Sequence, residues 1–135
     1  MAEGILKSLL AEKKRTTISV SSMGTSAFDG ESPTMNAIDA MKEVGIDISQ
    51  KKSQRVTVQD LLNTDLIYVM TPSHWNILTD AVPEVEDKIR ILNIPDPYGQ
   101  NLNIYRDCRD KMILYFKKEF EQGGRLEHAG TSESL

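Results

Sequence analysis

The chain has 135 residues, enough for one domain with a modest core and too few for two. Hydrophobic residues make up 39%, charged residues 27% and the net charge is -4, so no electrostatic feature draws it to nucleic acid or to an anionic membrane. A lone cysteine, Cys108, excludes an internal disulfide or a thiolate metal cluster, and the distant pair His74 and His128 makes no metal site.

Residues 1–14 carry Ala2, Ile5, Leu6, Leu9 and Leu10 at the spacing of a helix with one buried face. A helix that begins on its chain's first residue leaves its first N–H groups unpartnered and sets the amino terminus against its own dipole, so the expectation is that a segment is missing upstream. Residues 16–22 are β-branched and alternating and predict a strand, followed by a loop to Glu31 with Gly24 and Gly30. Ser32 predicts the cap of a helix with Pro33 at its first position, Ala37, Ile38, Met41 and Val44 along one side, and Gly45 as its stop. Lys51, Lys52 and Arg55 belong to a polar connector and read most simply as a solvated basic patch.

Thr57 and Asp60 have the spacing of a capping box and open a short helix through Leu62. Residues 65–70 form a nearly continuous apolar run, as a strand covered on both faces does. Thr71 and Pro72 start a helix with Ile77, Leu78 and Ala81 on one side, and residues 88–92 read as another short strand. The longest helix runs from about Leu102 to Glu121 with a stripe of Tyr105, Cys108, Met112, Tyr115, Phe116 and Phe120. Residues 122–135 have no periodicity and are expected to form a disordered tail to a domain of residues 1–121. Strands alternating with helices argue for an α/β fold, a parallel sheet with helices on both faces.

No apolar run approaches the roughly 18 residues of a membrane span, and the first residues do not resemble a signal peptide, so the expected location is the cytoplasm.

The chemistry centres on residues 93–99, Asn-Ile-Pro-Asp-Pro-Tyr-Gly. Pro95 and Pro97 fix their own φ and steer the residues before them away from helix, which holds Asp96 on stiff backbone beyond a strand's carboxyl end. Open α/β sheets bind ligands there, and a carboxylic acid so placed can protonate a leaving group. The same five residues from Pro95 to Gly99 also read as a turn in which Asp96 bonds its own backbone. Ser22, Thr25 and Ser26 cluster beyond another strand and can donate into a crevice or cap their loop. Phe28 and Tyr98 can flank a planar substrate or serve as plain wall. Cys108 lies on a buried helical stripe and reads as core filler, while His74, in a helix's first turn, has no nucleophile or acid spaced near it.

Several of these segments together resemble one family. Residues 1–4 (Met-Ala-Glu-Gly), 20–26 (Val-Ser-Ser-Met-Gly-Thr-Ser), 65–74 and 96–99 (Asp-Pro-Tyr-Gly) closely resemble, in register and order, the low molecular weight protein tyrosine phosphatases over about residues 1–121. The resemblance implies a flavodoxin-like doubly wound parallel sheet, no cofactor, and hydrolysis of a phosphorylated protein or small aryl phosphate through a cysteinyl-phosphate. It implies Asp96 as the general acid, Phe28 and Tyr98 as the aromatics lining the substrate cleft, and Ser22 and Thr25 as supports of the phosphate-binding loop. The family's C-x5-R-S motif and first, central strand precede the segment matched here by Met1, so the nucleophile and the phosphate-cradling Arg are expected to be missing from this chain. Lys51 stands where many relatives carry a His. The expectations are a phosphatase whose start was misplaced at an internal Met, or a non-catalytic remnant with at most a binding role. An arginine phosphatase of the same fold remains open. An arsenate reductase relays oxidation through additional cysteines, which Cys108 alone does not supply.

Overall fold

Two short parallel strands, β1 (Ile67–Val69) and β2 (Ile89–Ile91), hold the centre, with Ile67 opposite Ile89 and Val69 opposite Ile91. The computed structural model describes residues 1–14, 18–24 and 30–121. Beyond the ladder the strands stay together: Leu92 N–H donates to the Val69 carbonyl (2.8 Å) and Ile94 N–H to that of Met70 (2.9 Å). Every side chain of β1 is buried, because the strand alternates between two cores. Tyr68, flanked by Leu66 and Met70, joins the larger core with α1 (Ala2–Glu12), α2 (Met35–Lys42) and α5 (Leu102–Glu121). Ile67 and Val69 join the smaller one, under α3 (Val58–Asn63), α4 (Pro72–Ala81) and the 3-10 segment Pro83–Lys88. Helices therefore cover both faces, as the alternating pattern predicts.

The caps follow the sequence with one correction. Thr34, not Ser32, caps α2: its backbone is extended and its hydroxyl accepts the Ala37 N–H, whereas the Ser32 hydroxyl is taken by Lys52 Nζ at 2.8 Å. Gly45 ends that helix at φ +79°, a conformation that costs glycine little. At α3 the capping box is complete, the Thr57 hydroxyl accepting the Asp60 N–H (3.1 Å) and the Asp60 carboxylate accepting that of Thr57 (3.0 Å). The segment Pro83–Lys88 was not predicted, being too short for a helical period to show; its lysine closes α3, Nζ donating to the carbonyls of Leu62 and Thr64.

A second correction concerns the strand expected at residues 16–22. Residues 16 and 17 lie outside the described part, and residues 18–22 form no strand. Ile18 and Val20 still pack on the larger core, so the alternation set burial correctly. A ladder also needs a partner backbone about 4.8 Å away, and among the described residues the parallel pairing of this stretch comes only later, at Gly24 opposite Arg55. The expected tail, residues 122–135, lies outside the described residues too. No helix of the described residues is long and apolar enough to cross a membrane, and none of their His, Cys, Asp and Glu side chains gather in a group of three or more that could hold a metal.

α5 is pinned to α2 by an ion-pair cluster. Arg106 Nη2 stands 2.6 Å from Glu43 Oε2, and Arg109 Nη1 2.7 Å from Oε1 while also donating to the Ala40 carbonyl. Hydrogen bonds from Arg106, then Arg109, take the Glu43 carboxyl from 4.5 down to about 2. A carboxyl with a lowered folded pKa adds stability that is complete above its unfolded value and lost as pH falls through the folded one. The thermal midpoint of the native chain is therefore expected to fall more steeply than that of Glu43→Gln as pH drops from 4.5 towards 2. Parallel pH curves would remove the cluster from the stability of the fold.

Candidate active site

A cleft of about 1060 Å³ opens at the carboxyl ends of the two strands. One wall is the first two turns of α1 with residues 46–51, the second is residues 22–24, and the third is the first turn of α4 with Asp96, Pro97 and Tyr98. The approach of α1 to its wall is close, since a Cβ on Gly4 would meet Ile46 Cγ2 at 3.1 Å and Ile48 Cγ2 at 3.2 Å. Position therefore matches the expectation for an open α/β sheet, where ligands bind beyond the carboxyl ends.

Asp96 sits exposed at the mouth. Its Oδ1 accepts the Tyr98 N–H (3.0 Å), Gln100 N–H closes a turn on the Pro97 carbonyl (2.9 Å), and Gly99 takes φ +79°. That is the turn the five residues predict, with glycine where a positive φ is required. The turn bond uses a single oxygen of the carboxylate. Asp96 Oδ2 has no hydrogen-bond partner among the described residues. Tyr98 follows at the rim with 74% of its surface exposed, far more than packing alone leaves to a tyrosine.

Ser22 is half-buried and lines the second wall. Phe28, Thr25 and Ser26 lie outside the described residues, although both flanks of their loop are described and held on one stretch of chain. Gly24 N–H donates to the Gln54 carbonyl (2.8 Å) and Gly30 N–H to that of Ser53 (2.9 Å). Cys108 is buried in the larger core and is not part of the cleft wall. Burial above all, with a contribution from the charge of Asp96, pushes its thiol up to about 11, which leaves it protonated and inert at neutral pH.

The sequence reading did not bring Glu3, Lys7, Lys51 or His74 to the cleft. Lys51, expected in a solvated patch, instead stands 2.8 Å from Oε1 of Glu3, and Lys7 reaches Oε2 at 3.3 Å. The Lys51 contact is an ion pair rather than a directed hydrogen bond. Burial alone raises the pKa of Glu3, but Lys51 and then Lys7 outweigh it and hold the carboxyl below its usual range. His74 also faces the cleft from the first turn of α4, its Nδ1 3.1 Å from the Thr71 hydroxyl. The available signal was placement: His74 lies just past β1 as Asp96 lies just past β2, and the two strands are neighbours.

These features meet known proteins at several points. A model of the low molecular weight phosphotyrosine protein phosphatase family matches residues 1–122. A protein-arginine-phosphatase of Geobacillus stearothermophilus is 27% identical, over 77% of this chain and 76% of that protein. An arsenate reductase of Brevibacillus brevis is 34% identical over 88 residues, covering 65% of this chain and 64% of that one. Among solved structures, the low molecular weight protein tyrosine phosphatase of T. tengcongensis superposes with a TM-score of 0.82 at 28% identity, covering 90% of this chain and 88% of that one. The doubly wound parallel arrangement, the cleft beyond the strands' carboxyl ends and a match reaching from Met1 through the end of α5 agree, and the chain belongs to the low molecular weight phosphotyrosine protein phosphatase family.

Proposed function

We propose that this cleft hydrolyses phosphate monoesters on proteins through a cysteinyl-phosphate, with Asp96 as the acid for the leaving group. The observation that carries the proposal is the carboxyl of Asp96, fixed by one oxygen at the mouth of the cleft while the other stays unengaged. A thiolate attacks phosphorus in line, the bond to the leaving oxygen breaks, and Asp96 gives that oxygen its proton; water then frees the phosphate. Tyr98 and Phe28 flank the substrate ring, and Ser22 and Thr25 brace the loop that holds the phosphate. The catalytic unit is residues 1–121 acting in the cytoplasm, with residues 122–135 as a tail.

Within the 135 residues the nucleophile has no candidate, since the one thiol is buried and raised. In this reading a strand and a C-x5-R-S loop ahead of Met1 supply it, and the chain as written does not turn over. Such a loop would stand at the head of α1, whose first N–H groups favour both thiolate and phosphate. The test compares the 135-residue chain, a chain extended by that strand and loop, and the extended chain with its new Cys changed to Ser, each on an aryl phosphate. Activity is expected only in the second; silence from all three would favour a non-catalytic remnant.

The likeness to a protein-arginine-phosphatase supports a second substrate, phosphoarginine. Offering the extended chain phosphoarginine and phosphotyrosine side by side separates the two. An arsenate-reducing role fits less well despite the reductase relative, because relaying oxidation takes additional cysteines and this chain has one.

A further inference from the structure

We propose that His74 is a substrate-contacting residue of this cleft, donating from Nε2 to a phosphoryl oxygen of the bound ester; the proposal rests on the phosphatase reading above. Thr71 occupies the cap position of α4, yet its hydroxyl makes no capping bond and turns to the imidazole instead, 3.1 Å from Nδ1. That contact fixes the ring's orientation. In the tautomer whose Nδ1 accepts from the hydroxyl, which is the one the proposal requires, Nε2 carries the N–H. The ring is half-buried against the cleft, and Nε2 has no hydrogen-bond partner among the described residues.

The charges around the cleft give that donor its importance. Lys7 and Lys51 are both committed to Glu3, and the carboxylates of Asp47 and Asp96 line the same space. A phosphate dianion entering it therefore meets two lysines that already share one carboxylate, and two further carboxylates. His74 adds a donor that is not tied to a carboxylate, placed just past β1, the strand next to the one that Asp96 follows.

The test uses the 135-residue chain labelled at its histidines, of which there are two, His74 and His128, with phenyl phosphate as the probe and phenol as the uncharged control. The His74 ring resonances are expected to move saturably with phenyl phosphate and not with phenol, while those of His128 stay in place. His74→Phe keeps a ring without a donor and is expected to weaken binding by about 5- to 10-fold, because the lost bond is to a charged group at a partly exposed site. His74→Gln, which offers an amide N–H near the position of Nε2, is expected to restore most of the affinity; a purely structural role for the ring would leave Gln no better than Phe. Unchanged melting curves show that both variants fold. Equal affinity in wild type and His74→Phe overturns the role of His74, as does equal movement of both histidines. Absence of saturable binding in the wild type overturns it too, and the phosphatase reading then stands or falls separately on the activity of the extended chain.

Discussion

Asp96→Asn is expected to slow hydrolysis of tyrosine phosphate by about 10²- to 10⁴-fold in a chain carrying a nucleophile loop ahead of Met1. The departing phenol has a pKa near 10 and leaves poorly as an anion, so the proton from Asp96 is worth most there. Nitrophenyl phosphate, whose leaving group is far more acidic, is expected to lose much less. The variant is a fair probe because asparagine retains the oxygen that accepts the Tyr98 N–H, and the turn around it depends on that bond, on Gly99 and on the two prolines. Steady-state turnover of both esters is the measurement. Equal losses on the two would show that Asp96 does not act as the acid.

Phe116→Ala is expected to cost about 3 to 5 kcal/mol, a large share of the roughly 5 to 15 kcal/mol that holds a domain together. The ring is completely buried where α5 meets β1, edge-on to Tyr68 with centroids 5.2 Å apart and to Tyr115 at 5.7 Å. Tyr68 is also fully buried, with its hydroxyl donating to Glu119 at 3.0 Å, so neither neighbour can swing into the space left behind without giving up contacts of its own. Urea unfolding would show a lower midpoint with an unchanged slope. A loss below about 1 kcal/mol, the range of a surface change, would mean that α5 is not docked as described.

Long periodic segments were readable from the residues alone. The buried stripe of α5, the capping box of α3 and the all-apolar β1 each repeat one local rule over enough residues to outweigh exceptions. Arg109 broke the pattern because its burial depends on Glu43 and Ala40, more than sixty positions away. The choice of Thr34 over Ser32 was equally beyond reach, since both are good caps and only the fold shows the Ser32 hydroxyl bonded to Lys52 and that of Thr34 to the helix.

The candidate site divides in the same way. Asp96 and Tyr98 were legible because two prolines and a glycine dictate their backbone within five residues. Glu3, Lys51 and His74 were not, because their meeting place is made by α1, the loop after α2 and the start of α4 folding together, and no sequence spacing records that. Lys51 shows the difficulty most plainly: its neighbours in the chain suggest a solvated patch, and its neighbour in space is a buried carboxylate.

The burial of Cys108 makes the chain its own stopwatch. Because the only sulfhydryl is shut inside the large core and kept protonated, a thiol-directed reagent can attack it only when α5 lifts away from α1 and the sheet. The labelling rate then reports how often that helix opens, without an added dye or an engineered probe. In any longer version of the protein, a sulfhydryl that alkylates quickly under native conditions must be a different one, so a fast phase and a slow phase would separate the reactive cysteine from the structural one in a single time course.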